Sequence, residues 1–498
     1  MRKVHIVEKY HSYAMQRQTL PLMDLIGCEV TRGEEIDPQA DVNIHMPWHF
    51  LSGYDPAESE SKHIAVFTHE NPDSASAMYN TCKKADFVTV LSFEMRSRLI
   101  ALGIDPRKIR VAYCGTDQTQ FRRRRVGIVA TRQPNGRKRM NLLLDLAWKM
   151  DRFWLGLIEF CIIGKGWEAW AQELKNAGLN IVLVDGINDD NQMMQFYHTF
   201  DVLLSTAYME GGSLPIIEAM KSGVKVLTPD YGYAHDLLTP ADKYTTVEDL
   251  EKKLISLFEH EVENAQIATM LTWQSYAEEY ALILNDLLDS DIREMEDSGT
   301  PRYAQLLRIV AERKPKNIIE VGTWAGKRAS QMIQRAAGYR PIETINYLGF
   351  DLFEEMTENL FRRELSKIPP PMEVAERFLT ATGAKIKLVK GNSAVTIPKE
   401  NWDYKKADLI FIDGGHRADT IRLDWENVQQ YINQDTRIVF DDYYLSLGQH
   451  LDGYGCNELM DELKDDPKWE VIIYQGQATR HKYGEAEAII ALAEVRYA

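Results

Sequence analysis

The chain has 498 residues, too many for one hydrophobic core, and this length suggests about three domains. Its 45% hydrophobic and 27% charged residues are typical of a globular protein rather than a disordered or fibrous one. The formal net charge of −16 opposes a general attraction to nucleic acid or to an anionic membrane, although a local basic groove stays compatible with it.

Apolar runs of strand length alternate with amphipathic helical stretches along the whole chain, which predicts parallel sheets covered by helices. In a first block, candidate strands lie at 4–7, 42–45, 64–68 and 87–91. In a second block they lie at 126–130, 160–163, 181–184, 202–205 and 224–228, followed by charged helices from 247 to about 289. An acidic segment with breakers at 289–301 predicts a boundary, and a third block restarts the alternation at 317–321.

Four consecutive arginines, Arg122 to Arg125, stand between the first two blocks. The interpretation that we favour is a solvated linker between domains. The alternative is a positive rim that attracts a phosphorylated donor molecule.

A glycine turn in the second block predicts an anion site. The segment 208–220 follows a candidate strand and opens a helix, with Gly211 and Gly212 allowing the backbone to approach a ligand and Ser213 at the N-cap position. Unpaired amides and the helix dipole favour an anion there, so a diphosphate is the natural ligand. Glu218, about one helical turn further on, is placed to accept hydrogen bonds from a ribose.

Glu210 and Glu218, eight positions apart around this turn, and the residues 219–230 that follow resemble the donor site of GT-B glycosyltransferases of the family 4 type. The resemblance covers about 113–238 and includes 111–117, 130–138 and 161–166. It implies retaining transfer from a UDP- or GDP-sugar without a metal, because fixed cations and amide dipoles stabilise the leaving diphosphate. It implies a catalytic role beside the transferred sugar for Glu210, and donor binding by Arg132, Lys138, Gly211, Gly212, Ser213, Leu214 and Glu218.

The first block resembles the acceptor half of the same fold. In that family a glycine-rich loop usually follows the first strand, whereas here Val7 is followed by 8–13, which contain no glycine. Histidines and an acid fall at or just after the candidate strand ends, where such folds bind ligands. These residues are His45, His49, His69 and Glu70, and we expect the last two to line the acceptor cleft.

The third block opens with a second glycine turn. Residues 318–326 form a strand that contains Glu320 and then a glycine turn into a helix. Asp351 ends the next strand, thirty-one residues after Glu320, at the position where doubly wound folds hold ribose hydroxyls. A dinucleotide site shares this pattern, but the acid in the first strand and Trp324 in the turn favour a cofactor that carries an amino acid and no phosphate.

The pattern resembles a class I methyltransferase, and this resemblance implies S-adenosylmethionine (SAM) as the cofactor. Gly322 and Gly326 would lie against it, Glu320 near its methionine portion and Asp351 at its ribose, while 390–393 would lie near adenine. The SAM-binding residues so implied are Glu320, Gly322, Gly326, Asp351, Gly391, Asn392 and Asp413.

Three aspartates follow two further strands of this block. Asp413 ends the strand at 407–412, and Asp441 and Asp442 end the strand that begins at 437. Adjacent parallel strands bring their carboxyl ends together, and converging carboxylates are costly unless a cation neutralises them, which predicts Mg²⁺ on these three ligands. The ion would lower the pKa of a substrate hydroxyl and orient it for attack on the methyl group.

The combination of Ile-Asp-Gly-Gly-His at 412–416 with Phe-Asp-Asp at 440–442 resembles metal-dependent sugar O-methyltransferases of the macrocin type, over about 300–495. It implies a catalytic role for Asp413 beside its metal and cofactor roles. For His416 two roles stay open, general base or a residue that only supports the metal ligands.

Together these patterns predict an α/β chain. A GT-B pair of Rossmann-like domains at 1–121 (acceptor) and 122–290 (nucleotide-sugar donor) would precede a class I methyltransferase Rossmann-like domain at 300–498. We expect a bifunctional glycosyltransferase and SAM-dependent O-methyltransferase that acts on a glycan or glycosylated acceptor, as in polysaccharide biosynthesis. Fusion would raise the concentration of the second site near the first product.

Two alternative functions stay open. The first half could be a non-catalytic module that binds a sugar nucleotide or glycan beside an active sugar O-methyltransferase, which the missing glycine loop would suit. Alternatively, the chain could glycosylate a hydroxylated DNA base and methylate the added sugar, which the acidic charge disfavours.

Cysteine usage and hydropathy indicate the compartment. The five cysteines are odd in number, scattered and without a CxxC pair, which predicts reduced, mostly buried thiols and no zinc site. No apolar run reaches the roughly 18 residues of a membrane span, and the first residues resemble a buried strand rather than a signal peptide. We therefore expect a cytoplasmic protein whose partners are a nucleotide sugar and a glycan acceptor, with homo-oligomerisation left open.

Overall fold

The computed structural model of the chain describes residues 2–9, 13–24, 28–55, 60–68, 75–116, 123–130, 136–139, 141–150, 152–187, 189–208, 213–288, 300–364, 369–446, 453–483 and 486–498. These residues form two compact units, one made of 1–117 and 266–498 and the other of 118–265. None of the helices in this described part combines the length and the apolar character that a membrane span requires. All five cysteines are free thiols.

The first sheet is parallel and lies in the larger unit. Its strands are β1 (Arg2–Val7), β2 (Cys28–Gly33), β3 (Val42–His45), β4 (Lys62–Phe67), β5 (Phe87–Val90) and β6 (Ile109–Val111), in the order β2-β1-β3-β4-β5-β6. The helices between them are α1 (Tyr13–Met23), α2 (His49–Ser52), α3 (Ala75–Lys84) and α4 (Phe93–Ala101). The four predicted strands are confirmed, but β2 and β6 were not predicted. At the edge strand β2, Glu29, Thr31 and Arg32 break up the apolar run on which such a prediction depends.

The second sheet makes up the smaller unit and is also parallel. Its strands are β7 (Arg124–Val129), β8 (Ile158–Ile163), β9 (Asn180–Val184), β10 (Val202–Leu204) and β11 (Lys225–Leu227), in the order β11-β10-β7-β8-β9. The helices are α5 (Asn141–Lys149), α6 (Arg152–Leu157), α7 (Glu168–Asn176), α8 (Asp190–Tyr197), α9 (Leu214–Lys221), α10 (Gly232–Leu237) and α11 (Val247–Met270). All five predicted strands are confirmed.

The prediction of a solvated arginine linker is wrong for Arg124 and Arg125, which begin β7. The Arg125 guanidinium donates a 2.7 Å hydrogen bond to Glu159 on β8, and its amide donates one of 2.7 Å to Asp201 before β10. Arg125 thus fastens three neighbouring strands at their amino ends. Arg122 lies outside the described residues.

Helix α12 (Trp273–Leu288) belongs to the larger unit and packs on the first sheet. The Tyr280 and Thr89 hydroxyls lie 2.9 Å apart, which joins the helix to β5. Leu282 of the same helix is buried in the core beneath the third sheet. The predicted charged helices up to 289 are therefore confirmed, and α12 has one face in each of two cores.

The third sheet begins after α13 (Thr300–Arg313). Its strands are β12 (Asn317–Val321), β13 (Asn346–Asp351), β14 (Lys385–Lys390), β15 (Leu409–Ile412), β16 (Arg437–Ser446), β17 (Trp469–Ile473), β18 (Thr479–Tyr483) and β19 (Ala486–Tyr497). Their order is β14-β13-β12-β15-β16-β19-β17, with β18 paired to β19. The helices are α14 (Lys327–Ala336), α15 (Glu358–Glu364), α16 (Met372–Thr380), α17 (Ser393–Lys399), α18 (Ala418–Val428) and α19 (Asn457–Asp465).

Strand order predicts one crevice in each sheet. In the third sheet the five strands from β14 to β16 are parallel and β19 is antiparallel to β16. The direction of strand succession reverses between β1 and β3, between β10 and β7, and between β12 and β15. Loops that leave two such neighbours diverge over opposite faces of the sheet, so a crevice opens at the carboxyl ends of the strands, where ligands bind. The α/β class and the Rossmann-like parallel sheets expected from the sequence are confirmed.

Candidate active sites

A cavity of about 360 Å³ lies at the reversal point of the third sheet. It is walled by the residues that follow β12, β13, β14 and β15, by β16 and by the start of α13. All but one of the residues predicted for cofactor binding, metal binding or catalysis in this block line it. They are Glu320, Gly322, Asp351, Gly391, Asn392, Asp413, His416, Asp441 and Asp442.

Two acids stand at the β12 and β13 side of this cavity. Glu320 is 1% exposed and accepts a hydrogen bond from the Tyr347 hydroxyl, and burial raises the pKa of Glu320 to about 8. The Asp351 carboxylate accepts hydrogen bonds from the amides of Trp324 at 2.7 Å and Phe353 at 2.9 Å, while burial raises its pKa. The Asp351 carboxylate is thus oriented by the backbone on both oxygens.

Glycine is required where the loops after β12 and β15 meet. A Cβ on Gly322, which has φ +95°, would lie 2.0 Å from the Asp413 carbonyl oxygen. Trp324 adopts φ +47°, a conformation that favours glycine, and its amide holds Asp351. Gly326 is not among the cavity-lining residues. It is the left-handed N-cap of α14, where a Cβ would lie 2.8 Å from Leu379.

The two aspartates of β16 lie inside the strand, so the prediction that the strand ends there is wrong. Adjacent residues of a regular strand point to opposite faces. Here the register with β19 shifts between Phe440 and Tyr443, and Asp442 has φ +60°, which is the geometry of a β-bulge. Asp441 and Asp442 consequently both line the cavity, at 3% and 4% exposure.

Three carboxyls converge as predicted, and an arginine accompanies them. Burial and the charges of Asp441 and Asp442 raise the pKa of Asp413 well above its usual value. Arg302 of α13 forms an ion pair with Asp441 at 2.8 Å. Burial lowers the pKa of Arg302, but the carboxylates, Asp441 first, outweigh it and raise that pKa. A buried guanidinium therefore balances part of the negative charge.

His416 presents one ring nitrogen to this cluster. Its Nδ1 lies 2.5 Å from the carbonyl oxygen of Glu364. Because a carbonyl accepts and cannot donate, Nδ1 carries the proton, and the neutral ring keeps its lone pair on Nε2. Nε2 lies 3.5 Å from an Asp442 carboxylate oxygen, on the cavity side. The ring is therefore held by a carbonyl at Nδ1, and the nitrogen that could take a proton lies beside Asp442.

At the β14 side of the cavity, Gly391 has φ +123° and Asn392 caps α17. The Asn392 side-chain oxygen accepts a 2.9 Å hydrogen bond from the Ala394 amide. Asp424 of α18 also faces the cavity and is 1% exposed.

The second sheet has a small cavity at its own reversal point, between the ends of β7 and β10. Lys138 and Ser213, both predicted to bind the donor, line it together. Ser213 is the N-cap of α9, as expected, although its side chain forms no capping hydrogen bond. Leu214 follows at the first helical position and is 68% exposed. The structure thus places Lys138 beside the start of α9, at the reversal point of the second sheet.

Glu218 lies on the exposed face of α9, and its carboxylate accepts a 2.7 Å hydrogen bond from the Tyr197 hydroxyl. Arg139 holds the loop after β10 by donating to the Thr206 carbonyl at 2.9 Å and to the Tyr244 hydroxyl at 3.0 Å. Both tyrosines and Arg139 were missed in the sequence, because their partners are distant along the chain.

Several predicted residues fall where the structure gives no description. Arg132, Glu210, Gly211 and Gly212 of the donor site and His69 and Glu70 of the acceptor cleft lie outside the described residues. His45 is buried against His63, with ring nitrogens 3.0 Å apart, and burial lowers the pKa of His45 to about 3. His49 begins α2.

Two family models match residues of the second and third sheets. The family model of glycosyl transferases group 1 matches residues 128–270, and that of a methyltransferase domain matches 319–443. A search among curated proteins finds no match.

Three solved structures illustrate the similarities. Anabaena HepE in complex with UDP and glucose is 15% identical over 58% of this chain and 98% of its own, with a TM-score of 0.24. The catalytic domain of the Helicobacter pylori cholesterol-alpha-glucosyltransferase is 15% identical over 31% and 98%, with a TM-score of 0.24. SAH-bound Podospora anserina methyltransferase PaMTH1 is 16% identical over 44% and 87%, with a TM-score of 0.28. By the family models, the chain carries a glycosyl transferase domain and a methyltransferase domain.

Proposed function

We propose that the third-sheet cavity transfers a methyl group from SAM to a hydroxyl of a glycan or glycosylated acceptor. The observation that carries this proposal is His416, whose Nδ1 is held by a carbonyl so that Nε2 faces the cavity as a base. In the proposal Glu320 binds the cofactor's ammonium group and Asp351 its ribose hydroxyls. The domain bounds 1–121, 122–290 and 300–498 stay predictions.

The proton is handled by His416 and Asp442. With the methyl donor bound, the acceptor hydroxyl would donate to His416 Nε2, which would take its proton as the oxygen–methyl bond forms and the methyl–sulfur bond breaks, leaving a neutral thioether. The resulting imidazolium lies 3.5 Å from the Asp442 carboxylate, which stabilises its charge. Asp413 lies beside this pair and is available to orient acceptor hydroxyls.

The predicted magnesium ion suits the three aspartates by charge, but their arrangement does not fit it. Asp441 is already engaged by Arg302 at 2.8 Å, by the Tyr303 hydroxyl at 3.1 Å and by the Asp442 amide at 3.0 Å. Among the described residues, no three His, Cys, Asp or Glu side chains are arranged to hold a metal ion. We therefore derive no step through a metal, and in this proposal the Arg302 guanidinium takes the place of the Mg²⁺ ion expected from the sequence.

Methyl transfer from isotope-labelled SAM tests this proposal. With a panel of sugar nucleotides and glycans, the full chain should label a sugar hydroxyl, and His416→Gln should lower the rate by about 10²- to 10⁴-fold with unchanged cofactor affinity. His235→Gln, at an exposed histidine of the smaller unit, is the matched control and should leave the rate unchanged. Methylation of an unrelated phenol at a comparable rate would refute the sugar assignment.

The same assay decides the role of magnesium. We expect equal rates in excess EDTA and in added Mg²⁺, because Arg302 supplies the balancing charge. Loss of activity in EDTA that Mg²⁺ restores would reinstate the predicted ion on Asp413, Asp441 and Asp442.

We further propose that the second-sheet crevice transfers a sugar from a UDP- or GDP-sugar with retention of anomeric configuration. Lys138 beside the start of α9 supports a diphosphate there, since a cation and helix amides both attract phosphate. Glu218, oriented by Tyr197, would hold the donor ribose. The roles of Arg132, Glu210, Gly211 and Gly212 rest on the family resemblance alone.

Transfer or hydrolysis with UDP-, GDP- and ADP-sugars tests this second activity. Glu218→Gln should raise KM for the donor, and Tyr197→Phe should raise it less because the carboxylate remains. Glu173→Gln, at an exposed acid of α7, should have no effect. Donor binding without turnover would favour the non-catalytic module.

One observation supports the second candidate function, a non-catalytic module that binds a sugar nucleotide or glycan. In place of a glycine loop after β1, Glu8 is buried with its side chain 0% exposed. If both activities are present, we propose that they act in turn on one glycan in the cytoplasm, as in polysaccharide biosynthesis.

A further inference from the structure

Asp424 is a buried carboxyl that the reaction above does not use. It lies on α18, is 1% exposed and lines the third-sheet cavity. Neither of its oxygens accepts a hydrogen bond of normal geometry from any described residue. Burial raises the pKa of Asp424 to about 7, while the nearby Ser393 hydroxyl lowers it.

A buried carboxyl without a hydrogen-bond donor destabilises the fold unless a bound ligand supplies the donor. A buried polar group without a partner costs roughly 1–3 kcal/mol, and more when it is charged. Buried acids of this kind inside a cavity are typical of binding sites. A ligand that fills the cavity is therefore expected to present a hydrogen-bond donor to this carboxyl.

The position of Asp424 indicates which part of the ligand it would contact. One of its oxygens lies 3.5 Å from the point where a Cβ on Gly414 would stand, just after β15. Ser393, its other neighbour, begins α17 just after β14. Asp424 thus faces the space between the β14 and β15 loops, whereas Glu320 and Asp351 belong to β12 and β13.

SAM offers three sets of hydrogen-bond donors: the ammonium group, the ribose hydroxyls and the exocyclic amine of adenine. Glu320 and Asp351 are the acids proposed for the first two. The amine is the donor that remains. Glu364, another buried acid of the cavity wall, already accepts from the Arg417 amide and the Thr420 hydroxyl, whereas Asp424 still lacks a donor. Asn392, the residue predicted near adenine, already uses its side-chain oxygen to cap α17.

We propose that Asp424 accepts a hydrogen bond from the exocyclic amine of adenine and so selects adenosyl over inosyl cofactors. This inference rests on the proposed use of SAM. In the inosyl analogue a carbonyl oxygen replaces the amine, and above about pH 8, where Asp424 is ionised, it meets the carboxylate oxygen with no proton between them. Loss of one hydrogen bond to a charged group corresponds to about 10- to 100-fold weaker binding.

Calorimetry on the full chain at about pH 8.5, where Asp424 is ionised, tests the proposal with two ligands, S-adenosylhomocysteine and S-inosylhomocysteine. The unchanged protein should prefer the adenosyl ligand by about 10- to 100-fold. Asp424→Asn should lower this preference at least about tenfold, because a carboxamide donates to the inosyl carbonyl and also accepts from the amine. Glu426→Gln, at an exposed acid of the same helix, should keep the preference.

The other outcomes are distinguishable. Equal affinity of the unchanged protein for both ligands overturns the assignment of Asp424, and needs no variant that folds. A preference that Asp424→Asn leaves intact, with both affinities lowered by one factor, also overturns it and indicates a structural acid. Failure of the unchanged protein to bind either ligand overturns the proposed cofactor as well.

Discussion

Replacing Arg302 by methionine should destabilise the larger unit in a pH-dependent way. The Arg302 guanidinium is the cation paired with Asp441, and both side chains are nearly buried, at 10% and 3% exposure. Methionine preserves much of the volume and removes the charge. The three carboxyls Asp413, Asp441 and Asp442 would then share the cavity without that counter-charge.

Two estimates bound the loss in free energy of unfolding that Arg302→Met causes. Removing one partner of a buried ion pair costs about 3–5 kcal/mol. The abandoned carboxyl can instead take up a proton, and protonating an aspartate of ordinary pKa, about 3.9, costs about 4 kcal/mol at pH 7 but only about 1.5 kcal/mol at pH 5. We therefore expect a loss of about 3–4 kcal/mol at pH 7 that shrinks to about 1.5 kcal/mol at pH 5.

Thermal unfolding at the two pH values measures this loss. At about 2 °C per kcal/mol for a large unit, the Tm of Arg302→Met should fall by about 6–8 °C at pH 7 and by about 3 °C at pH 5. Arg422→Met, which breaks the exposed ion pair with Glu462, is the control and should shift Tm by less than about 2 °C. Equal shifts of the Arg302 variant at both pH values would refute the charge-balancing role of Arg302.

Three further predictions concern the same unit. With a pKa of about 8, Glu320 is protonated in the free protein below pH 8, and a ligand ammonium group must displace that proton. The affinity for S-adenosylhomocysteine measured by calorimetry should therefore rise with pH, by up to about tenfold per pH unit. Glu320→Gln should remove that slope, and a slope unchanged in the variant would contradict the role of Glu320. Gly322→Ala should cost about 3 kcal/mol or more in chemical unfolding, since its Cβ would lie 2.0 Å from a backbone oxygen; a neutral effect would show that the two loops are free to separate. Leu282 of α12 fills the core beneath the third sheet, so Leu282→Ala should lower the free energy of unfolding by about 2–4 kcal/mol. For the same reason, residues 300–498 expressed alone should have a lower Tm than the full chain. A fragment that melts with the full chain would argue against that packing.

Local signals made the sheets and the turn after β12 predictable. Apolar runs indicate buried strands, and a glycine at a strand end indicates a turn that approaches another backbone, as Gly322 approaches Asp413. Asp413 and Asp441 each follow the last paired residue of β15 and β16, Ile412 and Phe440, which is why parallel pairing made their convergence predictable.

Features that depend on distant parts of the chain could not be predicted. Arg302 reaches the aspartates from α13, more than a hundred residues earlier, and nothing in its local sequence marks it. The bulge that turns Asp442 inward depends on pairing with β19 at the far end of the block. Asp424 resembles any acid of an amphipathic helix until its neighbours are known.

A crystal structure of the full chain with S-adenosylhomocysteine tests the central claim most directly. We expect the ribose on Asp351, the ammonium group on Glu320 and the sulfur roughly 5–7 Å from His416 Nε2, a gap that one acceptor hydroxyl spans. A ligand bound elsewhere, or a sulfur that faces away from His416, would contradict the claim that this cavity is a methyl-transfer site.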